Sequence, residues 1–506
     1  MYVTHTAAIY FFKIAYNKSV LNMNILLINP YCYPEISAGV FNKFLTLMPP
    51  AGLAYLLAAI EKSKHIPLFY DDLIEKGSNQ KLKTFLLDAN PDIVGIPIYT
   101  SPVVYRFQEI VRIIRELLPK TIIISGHLHS NYFARDMLQN KEVDIVIKGE
   151  GEKAICELAD ALEQKSSLAD VPGLIFRNEK NEVVETEHRA YFCDLDRLPF
   201  PAWHLMPYKK YDIFVIGKIA VSGTFILGSR GCPYGCEFCS LLIQGRKRRA
   251  RSKENICDEI EWLIKNFGYK SFQFIDAAYP INKKEGLDFC QEMIKRGLHK
   301  KIIWGTETRL DVVDEELLAM MFKAGCRKIS YGIEAGSQKV LDAVNKKNDL
   351  TRVEQVIKWS HQYKLSPTGL FIMGLPGETK ADMWLTIKLA LRLKLHFAKF
   401  SIFVPYPGTP LYEKLLVAGK LDKNKLTDWH NYTSYPSIDN PPIYLDDKIK
   451  LTELLVLQKK AYLRFYLRPR QIFRVLCVLR YSISSFFYAG GFLLKLLFAN
   501  DKKTHT

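Results

Sequence analysis

From Met23 to about residue 165 the chain alternates short apolar runs with longer stretches whose apolar residues recur every three or four positions. The runs Ile25–Ile28, Leu68–Tyr70, Ile93–Ile96, Ile122–Ile124 and Asp144–Ile147 predict strands. Leu53–Glu61, Val103–Leu118 and Lys153–Leu162 predict amphipathic helices between them. This alternation predicts a doubly wound parallel sheet, covered on both faces and binding ligands beyond the carboxyl ends of its strands. Those ends carry Thr100-Ser101, Gly126-His127-Leu128-His129 and Gly149-Glu150-Gly151-Glu152, whose small residues let a flat ligand approach the backbone. Residues 166–220 break the pattern. Val171–Phe176 and Glu182–Glu187 read as a hairpin, and Leu198-Pro199-Phe200-Pro201-Ala202-Trp203 as an extended linker on the surface, too proline-rich for helix or central strand.

Alternation resumes over about 221–430. Strands are expected at Gly223–Leu227, Ser271–Ile275, Ile302–Gly305, Lys328–Tyr331, Gly369–Met373 and Lys399–Val404, with polar or glycine-rich turns after each. Six strand–helix units with such turns on one rim predict a parallel barrel or partial barrel. Beyond 430, Asp446–Tyr466 reads as a helix. The tail Ile472–Asn500 is apolar with Arg474, Arg480 and Lys495 interspersed, and falls short of a spanning helix, which needs about 20 apolar residues. It suits a cationic amphipathic helix on a membrane surface, or a terminal helix packed on the core. Residues 1–22 lack the basic start, apolar core and cleavage site of a signal peptide; they read as a weakly ordered extension, with Met23 as the natural start.

Candidate chemistry enters at Gly231-Cys232-Pro233-Tyr234-Gly235-Cys236-Glu237-Phe238-Cys239. Three cysteines at C-x3-C-x2-C spacing, in a loop able to fold tightly at proline and glycine, suit iron–sulfur or zinc ligation. Structural zinc wants a fourth ligand, and no nearby C-x2-C or histidine pair supplies one; an iron–sulfur cube held by three cysteines keeps one iron open. The other seven of the ten cysteines are scattered singly, as buried small hydrophobes in a reducing cytoplasm would be. A length of 506 residues with 48% hydrophobic content predicts two or three well-filled domains. The net charge of +17 favours anionic partners or surfaces. Its densest run, Arg246-Lys247-Arg248-Arg249, has no interleaved aromatics and reads as a solvated loop rather than a nucleic-acid site.

The cysteine spacing, with Phe238 before the last cysteine, resembles the signature of radical S-adenosylmethionine (SAM) enzymes. The first half resembles the cobalamin-binding domain that precedes the radical core in one large subclass. The matching residues there are the opening strand, Pro49-Pro50-Ala51-Gly52-Leu53-Ala54-Tyr55-Leu56, the Gly126/His129 loop and Gly149-Glu150-Gly151-Glu152. The loop after the first strand lacks D-x-H-x-x-G, so no histidine is marked as a lower cobalt ligand, and His127 replaces the second of the paired glycines usual in the fourth-strand loop.

The resemblance implies five segments: an extension (1–22), a cobalamin-binding-like domain (23–165), a hairpin and linker (166–220), a radical core (221–430) and a helical tail (431–506). It implies a [4Fe-4S] cluster on Cys232, Cys236 and Cys239, with SAM contacted from Phe238, Asp276, Arg309, Glu334 and the Gly374 turn. Cobalamin would be contacted from Thr100, Gly126, His129, Gly149 and Glu150. Glu334 would hold the ribose, Asp276 would meet the amino acid end, and Arg309, in the pattern W-x-x-x-T-R, could pair with the carboxylate. Ala277 and Ala335 stand where relatives often carry an acid and a serine. The implied reaction starts with an electron from flavodoxin or ferredoxin and a 5'-deoxyadenosyl radical. It ends in methyl transfer to an unactivated carbon, or in cyclisation or rearrangement without methyl transfer. A metal-stabilised nucleic-acid-binding or tRNA-modifying protein is a distant alternative. The substrate is expected to be a small or lipid-like molecule, and the enzyme cytoplasmic, either free or peripheral to the inner membrane face through its tail.

Overall fold

The computed structural model describes residues 22–32, 47–211, 214–216, 219–241, 245–421 and 425–479. Apart from Asn22, the expected extension at 1–22 lies outside them, as does most of the apolar tail.

The first sheet runs β1 (Asn24–Asn29), β2 (Ile66–Asp71), β3 (Ile93–Pro97), β4 (Ile122–Gly126), β5 (Ile145–Ile147), β6 (Leu174–Arg177) and β7 (Val183–Glu185), in the order β2-β1-β3-β4-β5-β6-β7. The first five strands are parallel and carry continuous apolar runs because both faces are buried. The hairpin β6–β7 is antiparallel and adds to the edge of this sheet, so it belongs to the first unit. Helices Ala51–Lys62 and Gly151–Gln164 pack on one another, and Val104–Leu117 and Asn79–Ala89 likewise. The periodicity did not reveal Asn79–Ala89, because only Leu82 and Leu86 of its eleven residues are buried.

The proline-rich segment departs from expectation. Trp203 is fully buried and Ala202 donates its N–H to Ala54 O at 3.0 Å, so the linker is wedged into the core rather than laid on the surface. A large indole without solvent contact outweighs the polar cost of burying the turn.

The second sheet has six parallel strands in chain order: Gly223–Ile226, Ser271–Phe274, Ile303–Thr308, Cys326–Glu334, Ser366–Met373 and Phe397–Ile402. The first and last do not pair, so the barrel is partial. Its intervening helices begin with side-chain caps: Ser252, Asn282, Asp314, Asp349 and Thr379 each accept an N–H of the first turn. The expected helix from Asp446 starts only at Leu451, because Asp446 accepts the Gly377 N–H at 2.7 Å and holds the preceding loop extended.

Both apolar clusters cross from one unit to the other. One joins Ile25, Ala54 and Trp203 to Ile256, Trp304 and Phe465; the other joins Ile28, Val94 and Phe107 to Ala335, Phe403 and Trp429. Arg230, next to the cysteine loop, pairs with Glu150 at 3.0 Å and with Glu152, just after β5. Tyr132, shortly after β4, donates to Glu413 at 2.9 Å. The carboxyl-end rims of the two sheets therefore face each other. Arg230→Met should leave Glu152 buried without its cation, lowering stability by about 3 kcal/mol in chemical denaturation.

Candidate functional site

The cysteine loop is fixed at both ends. Gly231 has φ +81° and no room for a side chain, since a Cβ there would lie 2.4 Å from Lys247 O. Cys232 N–H donates to Gly245 O, Glu237 N–H to Val344 O and Cys239 N–H to Cys236 O. Asn345 donates to Gly235 O at 2.9 Å, and Lys414 pairs with Glu237 at 2.7 Å. Phe238 packs against the second apolar cluster and anchors the loop's far end. Burial pushes the Cys239 thiol up to about 11 and raises Cys236, so a metal must displace their protons to bind. Three thiols spread over one loop fit a cube in which each takes its own iron.

Asp276 is buried at the end of the second strand and accepts Gly228 N–H at 2.8 Å and Ser229 Oγ–H at 2.5 Å. Its carboxylate holds the entry to the cysteine loop, and burial pushes it up to about 7. Arg309 stacks over Tyr234 of the loop, 3.8 Å from the ring centre, and its guanidinium is engaged bidentately by Asp311 at 2.8 and 3.0 Å. It also donates to Lys347 O.

Glu334 sits on the rim at φ +68°, a backbone conformation rare for a residue with a side chain. The strand bulges between Gly332 and Glu334, and Asn348 pins the bulge by donating to Gly332 O and Ile333 O. Glu334 Oε1 accepts from Lys346 Nζ at 3.0 Å, and glycine at 332 is what admits the pair: a Cβ there would lie 2.6 Å from Oε1. Burial opposes the Lys346 charge, but Glu334 outweighs it and raises the lysine. The Cys236 thiol also lies within the field of Lys346. Buried Asn348 Oδ1 has no partner, an acceptor left over for a ligand donor. Lys346 and Asn348 escape a reading by motif, because they follow the strand by a short helix and lie in the polar run Asn345-Lys346-Lys347-Asn348-Asp349, which reads as a solvated loop.

Gly374 turns at φ +81° and, with Leu375, donates its N–H to one oxygen of buried Glu378, at 2.6 and 3.1 Å. The other oxygen has no partner, and burial pushes the group up to about 8. A carboxyl raised in the folded state stabilises fully below its unfolded value near 4.5, and that contribution is lost as pH rises through 8. Glu378→Gln, which mimics the protonated form, should remove a decline on the order of 4 kcal/mol between pH 5 and 8. Thermal melts of both chains across that range read it.

On the facing rim, Gly149 turns at φ +87° with nothing within 4 Å of where a Cβ would stand, and Gly126 closes β4 beside Ile147 O. Thr100 ends the β3 loop, half-buried, its hydroxyl capping nothing. His129 is buried between Phe133 and Trp429, with ring centres at 4.7 and 4.5 Å and Nδ1 without a partner. Burial lowers it to about 3, so it is neutral. Glu150 is committed elsewhere, to Arg230, Arg249 and the Phe192 N–H, and its two arginines outweigh burial to lower it. The structure thus gathers the three cysteines, Asp276, Arg309, Glu334 and Gly374 on one rim, opposite Thr100, Gly126, His129 and Gly149. The open glycine cradle and the orphaned imidazole nitrogen fit a flat, polar-edged ligand between the rims.

The radical SAM superfamily model matches residues 226–390, and the B12-binding domain model residues 38–159. A Pyrococcus horikoshii protein described as an uncharacterized methyltransferase is 30% identical over 475 residues, 94% of this chain and 96% of that one. The anaerobic magnesium-protoporphyrin IX monomethyl ester cyclase of Cereibacter sphaeroides is 31% identical over 428 residues, 83% of this chain and 67% of that one. Among solved structures, the radical SAM methyltransferase TsrM of Kitasatospora setae with cobalamin and a [4Fe-4S] cluster bound superposes with a TM-score of 0.68. It covers 90% of each chain at 17% identity, a likeness of fold. With both domain models matched and a relative aligned end to end, the chain belongs to the radical SAM superfamily, in the branch that carries a B12-binding domain ahead of the radical core.

Proposed function

We propose that the chain is a cobalamin-dependent C-methyltransferase acting on an unactivated carbon, with 23–165 and the β6–β7 hairpin as its cobalamin unit, the rest of 166–220 as connector, 221–430 as radical core and 431–506 as tail. The observation that carries this reading is the facing of the two rims across the Arg230–Glu150 and Tyr132–Glu413 contacts. A methyl donor on one rim then meets a carbon activated at the other. Bound together, the cluster, SAM and cobalamin supply the electron, the hydrogen-abstracting radical and the methyl group. The chain's own residues do the rest. Cys232, Cys236 and Cys239 hold the cluster, and Glu334, oriented by Lys346, accepts the ribose hydroxyls. Arg309 offers its remaining N–H groups to the carboxylate, and the Gly374 turn exposes backbone to the adenine. The aromatic wall of Phe133, Trp429 and Tyr432 keeps water from the gap.

A reductant such as flavodoxin or ferredoxin and a small-molecule substrate complete the system. The identity shared with the cyclase supports a second reading, radical chemistry without methyl transfer. Anaerobic turnover of a cell extract with SAM labelled at its methyl group separates the two. Label in an organic product supports methyl transfer; 5'-deoxyadenosine without transferred label supports the second reading. No described helix is long and apolar enough to cross a membrane. Exposed Leu467, Ile472 and Phe473 beside Arg468, Arg470 and Arg474 support a peripheral contact with anionic lipid. Deleting 472–506 should then abolish sedimentation with anionic vesicles; unchanged sedimentation overturns that contact.

A further inference from the structure

The second sheet has one face packed in the apolar core and one turned to the barrel lumen. Trp304, Ile329, Tyr331, Phe371, Ala398 and Phe400 take the packed face. Strand alternation therefore turns Gln273, Glu307, Lys328, Thr368, Leu370 and Lys399 to the lumen. Gly305 confirms the placement, since a Cβ there would touch Gln273 Oε1 at 2.9 Å and Lys328 Cβ at 3.4 Å. Among the described residues, the side chains of Glu307, Lys328 and Lys399 form no hydrogen bond or ion pair, although they lie within one another's field. The hydroxyl of Thr368 is buried without a partner.

Lys328 is half-buried and Lys399 exposed, so both ammonium groups are open to an anion that enters the lumen. Lys399 stands level with Gly332, two residues or roughly 7 Å below the rim acid, and Lys328 a further four residues down. Glu334 is already matched by Lys346, so on this face the two lysines stand against Glu307. Burial, with Glu334 adding to it, pushes Glu307 up to about 7, which weakens it as a counter-charge. Half-buried Phe225, Leu370, Ile372 and Phe397 supply apolar wall.

We propose that the lumen takes a substrate with an apolar body and an anionic far end, carboxylate or phosphate, met by Lys399 and Lys328 while the opposite end lies under the rim. The inference rests on the radical reading for what happens at that rim. The two lysines and the apolar wall between them define the ligand class.

The test is calorimetric titration of the anaerobically reconstituted full chain with decanoate, decyl phosphate and neutral decanamide. At least one anion should bind about tenfold or more tightly than the amide, and the ranking of the two anions tells carboxylate from phosphate. Lys328→Gln/Lys399→Gln should lose that preference while keeping iron and SAM binding. Lys399→Gln alone, at an exposed position, should weaken the anion about threefold or more, which carries the test should the double variant not fold. Equal binding of amide and anions, binding of none, or a preference that survives both substitutions overturns the proposal. Loss of iron or SAM binding in the unsubstituted chain would instead strike the radical reading.

Discussion

Cys236→Ala should drop the iron content of the anaerobically reconstituted chain from about four per chain to below about one, and SAM cleavage should fall to background. Cys236 is the buried member of the three and lies within the field of Lys346 and Arg309, which favours its thiolate over its thiol. A cube held by two thiolates has two open irons and is readily lost. The control is Cys193→Ala, an exposed cysteine on the connector, which should leave iron unchanged. Equal iron loss in both would mean that the chain, not the ligand set, had failed.

The second large effect is expected at Glu334. Glu334→Gln removes a charged acceptor from the rim and strands Lys346, a buried cation whose only described ion pair is this one. Losing charge-assisted hydrogen bonds worth about 2–3 kcal/mol should weaken SAM binding roughly 30- to 150-fold. Stranding Lys346 should also cost stability, so affinity and folding must be read separately. Glu334→Gln/Lys346→Met removes the unpaired charge and should recover much of the melting temperature without recovering affinity. Recovery of both would make Glu334 a structural partner of Lys346 and not a cofactor contact.

How much of this was legible beforehand follows from which signals are local. Strands such as Ile25–Ile28 and Ile93–Ile96 are apolar runs bounded by polar turns, and both sheets could be read from them in order. Asn79–Ala89 was invisible because a helix burying two residues leaves no stripe. The hairpin after Val171 could be seen, but not that it extends the first sheet, since pairing partners are not written in a strand's own residues. Trp203 shows the same limit: proline content speaks of backbone, whereas burial of its indole is decided by the helix Ala51–Lys62, far off in sequence.

At the site, the cysteines and the strand-end glycines were readable because their chemistry fixes their spacing. Lys346 and Asn348 were not, because what makes them matter is the bulge at Gly332–Glu334, a feature of register. Glu150 shows the converse. Its motif placed it at the rim, and the fold gave its carboxylate to Arg230 and Arg249, whose approach depends on the second unit.

The account stands or falls on whether both rims are loaded together. The chain expressed anaerobically with cobalamin, then desalted, should retain close to one corrinoid and about four irons per chain, quantified by mass spectrometry and metal analysis. Iron without corrinoid would contradict methyl transfer while leaving the radical core in place, and neither iron nor corrinoid would contradict the account as a whole.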